Sequence, residues 1–298
     1  MEIGRGYYSE FSSREFLHFP KEALYRKLAR DGADMIDVQD PFESIDEYYF
    51  LRQNRTPIVY ANHESHMDGG ALVKVSQLLN KPGNIPMEFK LPLAASLRTG
   101  DQSSKHTEFY NAMKPWMIEN HIHPVEVARE ADREKYNIKA ATDQSRELLS
   151  IPSSRDGIMI FPQGSVQAGR INPETGKRFG MIEVKNDLIP RIVRRSVAQH
   201  SKDVAFLPVA IHGTYRLFDP GVPNDSSTAH ITREAKQSLM KKHMGFRPKL
   251  ATAIIGEPFT TEELEQNGID LRDKEAINTF LMNRIAEMLP EDARGYYR

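Results

Sequence analysis

The sequence predicts an α/β protein in which a mostly parallel central sheet is flanked by helices. From about residue 55 onward, short apolar runs alternate with longer amphipathic stretches. That alternation is typical of parallel strands joined by helices that cover both faces of a sheet. The run at 204–211, VAFLPVAI, is apolar throughout, which favours a central strand buried on both faces. We therefore expect one α/β domain over residues 55–298.

Each element of that domain has its own pattern. The predicted strands are short β-rich runs at 57–61, 85–89, 122–127, 157–161, 204–211 and 249–255. The predicted helices are amphipathic stretches at 68–80, 104–120, 131–150, 180–197, 231–243 and 273–289. Because a helix-sized stretch separates most consecutive strands, the connections are long enough for parallel pairing.

Residues 1–54 are expected to form a short helical extension that packs on this core and is not an independent domain. One helix should occupy 20–32, beginning at a proline and ending at a glycine. A second should run from Asp40 to Asn54, with Asp40 and Glu43 as its capping pair. Residues 13–28 mix apolar and basic side chains, so this segment could pack on the core or rest on a membrane surface.

The composition excludes several kinds of chemistry. The 298-residue chain contains no cysteine, which rules out disulfides, thiolate nucleophiles and cysteine-based metal sites. Its 40 basic and 41 acidic side chains nearly balance, so no nucleic-acid partner is expected. Residues 170–195 are locally basic and residues 256–275 locally acidic. The basic stretch could meet a phosphate, a coenzyme or an anionic lipid surface, or both stretches could be solvated faces.

The sequence also carries an expectation about location. No apolar run approaches the ~18 residues that span a bilayer, and the stretch MEIGRGYYSEFSS lacks the apolar core of a signal peptide. We expect a cytoplasmic protein, with peripheral contact at the inner face of the membrane as a further expectation.

A dense group of titratable side chains follows the strand predicted at 57–61. Residues 61–70 read ANHESHMDGG, and His63 and Asp68 lie five residues apart across the predicted start of a helix. The chain can fold the carboxylate of Asp68 back onto one imidazole nitrogen of His63, and the other nitrogen can then take a proton from a hydroxyl. The spacing indicates a general-base dyad. The alternative is that Asp68 only caps the helix and His63 is a polar strand end.

The same ten residues also look like a metal site. His63, His66 and Asp68 are residue types that bind metals in hydrolases, and His121 and His123 could supply further ligands. The spacing is H-x-x-H-x-D and no histidine follows the aspartate, so these ligands would stand out of register. No metal is expected, and a metal-dependent hydrolase is kept as an alternative hypothesis.

Three blocks, in the same order, resemble the glycerolipid acyltransferases of the lysophosphatidate (PlsC-like) type. His63-x4-Asp68 resembles that family's H-x4-D block. Residues 161–165 (FPQGS) resemble its F-P-E-G-T block, and residues 207–211 (LPVAI) resemble its V-P-V-A-I block. The resemblance covers about residues 57–214, and each block stands at the end of a predicted strand or close to it.

The resemblance implies direct transfer of a fatty acyl group from acyl-CoA or acyl-carrier protein to a hydroxyl of glycerol-3-phosphate or a lysophospholipid. It implies that His63 is the general base and that Asp68 orients it. It implies no cofactor, since the acyl donor is a co-substrate, and its partners are that donor and a glycerolipid acceptor. Backbone N–H groups near Gly164 and Ser165 would stabilise the oxyanion, and Pro208 would shape the acyl side of the cleft. The substrate-binding residues expected on this basis are Lys90, Arg129, Gln163, Gly164, Ser165, Arg170 and Pro208.

Two positions depart from the family's pattern. Gln163 stands where the family has a glutamate, and a neutral amide can hydrogen-bond an acceptor hydroxyl without supplying charge. Val166 stands where the family has an arginine that helps to hold the acceptor's phosphate. Lys90, Arg129 and Arg170 could together replace that arginine, or the acceptor could lack this phosphate. A protein that binds lipid or acyl chains without turnover is therefore a second hypothesis.

Overall fold

The computed structural model describes residues 21–94, 105–127, 138–153, 155–164, 166, 169–184, 187–200, 202–221, 229–243, 245–246 and 248–297. Within these ranges no helix is long and apolar enough to cross a bilayer. The chain is α/β, with one large sheet between two layers of helices.

The described strands are β1 (Ile36–Gln39), β2 (Thr56–Ala61), β3 (Phe89–Ala94), β4 (Ile122–Val127), β5 (Gly157–Ile160), β6 (Val204–His212), β7 (Phe218–Asp219), β8 (His230–Ile231), β9 (Ala251–Ile255) and β10 (Phe259–Thr260). The large sheet has the order β1-β9-β6-β2-β5-β3-β4, with β10 also paired to β6. The five strands from β6 to β4 run parallel to one another. Strands β9 and β10 are antiparallel to β6, and β1 is parallel to β9. The prediction of a mostly parallel sheet is confirmed.

The described helices are α1 (Lys21–Ala33), α2 (Ser44–Leu51), α3 (Asp68–Leu79), α4 (Lys105–Glu119), α5 (Ile138–Leu149), α6 (Leu188–His200), α7 (Arg233–His243), α8 (Thr261–Gln266) and α9 (Lys274–Met288). Short 3-10 turns lie at Ile151–Ser153, Thr214–Arg216 and Glu291–Ala293. Most predicted helices agree with these bounds to within one or two residues. The expected helix at 131–150 agrees over its described part, because residues 128–137 lie outside the described ranges.

The central strands are buried on both faces, as their unbroken apolar runs predicted. Successive residues of β2 point to opposite faces: Val59 packs in the core cluster that contains α3, and Ile58 in the cluster that contains α6 and α9. In β6, Leu207 packs in the cluster that contains α3, and Phe206 packs in the cluster that contains α6 and α9. Each face of the sheet therefore has its own helix layer, and the polar ends of the strands are left for a site.

Two predicted elements begin at other residues. The strand expected at 85–89 is formed by Phe89–Ala94, because the side-chain amide of Asn80 accepts from Met87 N at 2.8 Å and donates to Met87 O at 3.1 Å. Those bonds hold the preceding residues in a loop. The helix expected from residue 180 begins at Leu188, since residues 181–184 are not helical and bond instead to the segment around residues 293–297.

The segment before residue 55 is not only helical. Ile36–Gln39 forms β1 and pairs with β9, so this segment adds an edge strand to the sheet. Helix α2 begins at Ser44, not at Asp40, because the Asp40 carboxylate accepts from the backbone N–H groups of Ser44 at 2.7 Å and Ile45 at 3.1 Å. The aspartate caps the helix as expected, and Glu43 makes no side-chain cap.

Candidate functional site

The candidate site lies where three adjacent parallel strands end. Strand β2 ends at Ala61, β5 at Ile160 and β6 at His212, and these strands are neighbours in the order β6-β2-β5. The loops that follow them carry the H-x4-D residues, the FPQG turn and the turn at residues 213–214. In open α/β sheets, ligands bind outside the carboxyl ends of the strands, which is this edge.

His63 and Asp68 form the predicted pair. Nδ1 of His63 lies 2.8 Å from Oδ2 of Asp68, the first residue of α3. The Asp68 side chain is 0% exposed and that of His63 is 14% exposed. Because the carboxylate can only accept, this contact puts the proton on Nδ1 and makes Nε2 the nitrogen that can take up a proton.

Asp68 is held by several donors in addition to His63. Its Oδ2 accepts from the backbone N–H groups of Glu64 at 2.6 Å and Ser65 at 2.8 Å, and its Oδ1 accepts from the hydroxyl of Thr214. The backbone of the turn between β2 and α3 thus surrounds the carboxylate of Asp68. These bonds fix the orientation of Asp68 before any ligand binds, which is what a preorganised dyad requires.

The ring of His63 is fixed from the side as well. It stacks on Phe161, with ring centroids 4.2 Å apart and planes inclined by 10°. Phe161 is the first residue after β5, so the second block of the resemblance supplies the surface on which the imidazole lies. Together, Asp68 and Phe161 restrict both the direction and the plane of the ring.

Gln163 holds the backbone of His63. Its Oε1 accepts from the N–H of His63 at 2.9 Å, and its Nε2 donates to the carbonyl of Ile182 at 3.2 Å. The sequence-based role for Gln163 was contact with the acceptor hydroxyl. The structure instead engages both ends of the amide with protein atoms, because the FPQG turn lies between the His63 turn and residues 181–184.

Asn62, which sequence reasoning did not single out, extends the pairing of β2 with β6. Its side chain donates to Ile211 O and accepts from Ile211 N, both at 2.7 Å, as a backbone neighbour would. The residue that follows β2 is thereby tied to β6, directly before His63 in the sequence. An asparagine directly after an apolar strand was the available signal.

A second acid–base pair stands next to the dyad. Glu64 is 4% exposed, and its carboxylate accepts from Gly213 N at 2.8 Å and lies 3.1 Å from Nδ1 of His212. Burial raises the pKa of the Glu64 carboxyl, against the lowering effect of the bond with His212. The bond with Glu64 in turn raises the pKa of His212. Glu64 thereby ties the end of β6 to the dyad turn.

Lys90 is not brought to the dyad. Lys90 pairs with Ile158 of β5, and Ile158 pairs with Ile58 of β2. Lys90 is therefore level with Ile58, which precedes His63 by five residues, or roughly 16 Å along the strand direction. Its ammonium group pairs with Glu147 at 3.2 Å and Asp156 at 3.7 Å. The structure separates the two residues because Lys90 lies at the start of β3, whereas His63 follows the end of β2, and the role of Lys90 in substrate binding stays a prediction.

Three other expected substrate contacts have roles within the protein. The N–H of Gly164 donates to Phe161 O at 2.9 Å, so it is engaged inside the turn. Nε of Arg170 donates to the carbonyl of Val166. Pro208 is buried, its carbonyl accepts from Gly256 N at 3.0 Å, and its ring packs against that glycine. Arg129 and Ser165 lie outside the described residues.

The histidines considered as metal ligands lie in two places. His66 is beside the dyad, with its ring centroid 6.3 Å from that of His63. His121 and His123 both bond to Glu88, at 2.8 and 2.7 Å, at the start of β4 and far from this edge. Within the described part of the chain, no group of three histidine or acidic side chains could hold a metal ion.

What this arrangement can do follows from its groups. A buried carboxylate orients an imidazole whose Nε2 can accept a proton, and two neighbouring loops hold that imidazole in place. Such an arrangement can activate a hydroxyl or a water molecule as a nucleophile. The sequence matches no protein-family model and no curated protein.

Proposed function

We propose that this protein is an O-acyltransferase that moves a fatty acyl group from acyl-CoA or acyl-carrier protein to a hydroxyl of glycerol-3-phosphate or a lysophospholipid. The observation that carries the proposal is the contact between His63 and the fully buried Asp68, at the shared edge of β2, β5 and β6. The order of the three sequence blocks supports the choice of acyl transfer among reactions that need a general base.

In the proposed reaction, the acceptor hydroxyl gives its proton to Nε2 of His63 while its oxygen attacks the thioester carbonyl. The tetrahedral oxyanion then collapses, the C–S bond breaks, and the leaving thiolate takes the proton from His63. The products are an ester and the free thiol of the donor, and no acyl-enzyme forms. Asp68 stabilises the imidazolium that exists between the two proton transfers.

The chemistry of the acceptor is proposed from the resemblance of the three sequence blocks. Lys90 lies at the start of β3, away from His63, so the geometry does not favour it as a partner for the acceptor's phosphate. If the acceptor is a lysophospholipid, the protein must reach it at a membrane, and we propose peripheral membrane contact on that ground. Co-sedimentation with anionic phospholipid vesicles tests this step separately from catalysis.

The test of the main proposal is a donor-by-acceptor screen with purified protein. Acyl-CoA and acyl-carrier protein would be offered with glycerol-3-phosphate, lysophosphatidate and other lysophospholipids, and ester formation followed by mass spectrometry. His63→Ala and Asp68→Asn should each lower transfer by about 10²–10⁴-fold. His123→Ala, which changes a surface histidine bonded to Glu88, is the matched control and should leave transfer unchanged. Equal rates in the wild type and His63→Ala would exclude the dyad as the catalyst.

A second candidate function is the binding of lipid or acyl chains without turnover. It is favoured by the engagement of Gln163 and of the Gly164 N–H with protein atoms, because those groups were expected to contact substrate. It predicts that lipid co-purifies with the protein and is released unchanged. Conversion of that lipid in any acyl-transfer assay would exclude this function.

A further inference from the structure

The tetrapeptide RGYY occurs at Arg5–Tyr8 and again at Arg294–Tyr297, and the second copy lies against the loop that supports His63. Backbone bonds join this copy to the loop: Met181 N donates to Ala293 O at 3.0 Å, and Tyr296 N donates to Met181 O at 2.8 Å. Residues 293–297, called the strap below, are therefore tied to residues 181–184 by hydrogen bonds that involve the N–H and the carbonyl of Met181 and the N–H of Val184.

The strap approaches this loop too closely for most side chains. Gly295 has φ +58°, and a Cβ there would lie 2.2 Å from Met181 O and 2.5 Å from Met181 N. A Cβ at Gly180 would lie 2.6 Å from the Cα of Gly295. Glycine at both positions allows the two backbones to touch, which accounts for the glycine of the tetrapeptide.

Tyr297 fixes the other end of the loop. Its ring is 7% exposed, and its hydroxyl accepts from Val184 N at 2.9 Å. The strap therefore holds Met181 on one side of Ile182 and Val184 on the other. The carbonyl between them, that of Ile182, is the one that accepts from Nε2 of Gln163.

We propose that the strap is a positioning element for His63. It fixes the Ile182 carbonyl, this carbonyl orients the Gln163 amide, and the amide holds the backbone N–H of His63. The strap touches no reacting atom in this proposal, so Tyr297 is a positioning residue and not a catalytic one. The expected effect of the strap on the reaction rate rests on the proposed function. The expected effect of the strap on the position of the His63 ring does not.

The chain provides a matched pair of variants. Tyr297→Phe removes only the hydroxyl that accepts from Val184 N. Tyr296→Phe makes the same change one residue earlier, where the ring is 62% exposed and its hydroxyl contacts Glu183 at 3.3 Å. We expect Tyr297→Phe to lower kcat by about three- to tenfold with little change in KM, because it misplaces the base and does not weaken substrate binding. Tyr296→Phe should leave both constants unchanged. In a His63→Ala background, Tyr297→Phe should cause no further loss.

A second readout does not require turnover. The imidazole signals of His63, assigned by comparing NMR spectra of the wild type and His63→Ala, should shift in Tyr297→Phe and not in Tyr296→Phe. If no acyl transfer is found in any variant, the proposed function fails and this measurement still decides the role of the strap. A Tyr297→Phe protein with unchanged His63 signals would overturn the positioning role, even if it unfolds at a lower temperature.

Discussion

Thr214 donates its hydroxyl to Oδ1 of Asp68, the carboxylate oxygen that His63 does not use. The two residues are 146 positions apart in the sequence and both are 0% exposed. The turn after β6 therefore completes the set of donors that the turn after β2 begins. Removing this hydroxyl would change the environment of the carboxylate and leave the dyad residues themselves unaltered.

We expect Thr214→Val to lower acyl transfer by about tenfold, since Oδ1 would lose its donor and Asp68 could rotate away from His63. It should also lower the free energy of unfolding by about 1–3 kcal/mol, because a buried acceptor would be left unsatisfied. Thr214→Ser keeps the hydroxyl and should retain most activity. Chemical denaturation and steady-state kinetics check the two effects, and equal kinetics for the valine and serine variants would contradict the role of the hydroxyl.

Gln163→Glu introduces the glutamate of the F-P-E-G-T block that residues 161–165 resemble, yet we expect it to harm this protein. A carboxylate can still accept from His63 N, but it has no proton to donate to the carbonyl of Ile182. The loss should be about 1–3 kcal/mol of unfolding free energy near neutral pH. Denaturation curves measure it. A variant more stable or more active than the wild type would show that Gln163 does not work through Ile182.

Gly169→Ala should be more damaging than the same change at Gly176. Both glycines have positive φ, +78° and +66°, so each alanine carries the strain of the left-handed region. A Cβ at Gly169 would also lie 2.6 Å from the carbonyl oxygen of Glu64 in the dyad turn, whereas no atom lies within 4 Å at Gly176. We expect losses of about 1 kcal/mol at Gly176 and roughly 2–4 kcal/mol at Gly169. Equal losses in denaturation would contradict the close approach of residue 169 to this turn.

The pair formed by His212 and Glu64 should make stability depend on pH. The folded state raises the pKa of His212 above the ordinary value of 6.5, through the bond with Glu64. The folded state therefore binds this proton more tightly than the unfolded state. Its stabilising contribution is fully present below pH 6.5 and is lost as the pH rises through the folded-state pKa.

The measurement is the free energy of unfolding of the wild type and His212→Gln at a series of pH values on both sides of 6.5. The difference between the two proteins should be largest at the lower values and should shrink as the pH rises. Glu64 acts in the same direction: burial raises the pKa of its carboxyl above 4.5, so its contribution is fully present below pH 4.5 and is lost as the pH rises through the folded-state pKa. A difference that grows with rising pH would contradict the direction given for His212.

Much of the fold could be predicted because it depends on local patterns. The alternation of apolar runs with amphipathic stretches does not require knowledge of which strands pair, so fold class and most helices follow from it. The H-x4-D spacing is also local: a strand end and the first turn of a helix bring His63 and Asp68 together with only four residues between them along the chain. Phe161 is the first residue of the FPQGS block, but its stacking on His63 was not expected from the sequence.

Contacts between distant segments could not be predicted in the same way. Whether Lys90 lies near His63 depends on where β3 begins and on its register with β5, and the strand proved to start at residue 89. Edge strand β1 was missed because four residues of moderate hydrophobicity carry little pattern, and it exists only because β9 offers it a partner. Contact with the acceptor hydroxyl was expected for Gln163 from the sequence, but its hydrogen-bond partners depend on which loops are neighbours.

The sequence by itself determined the α/β class, the parallel core strands and the pairing of His63 with Asp68, because each follows from residues close together in the chain. Only the tertiary structure decided what holds that pair: Thr214 on Asp68, Gln163 on His63, and residues 293–297 behind Gln163. The physical reason is that these hydrogen bonds join residues from about 20 to 150 positions apart. Their geometry is set by strand order, register and loop packing, and none of these leaves a pattern in a single stretch of sequence.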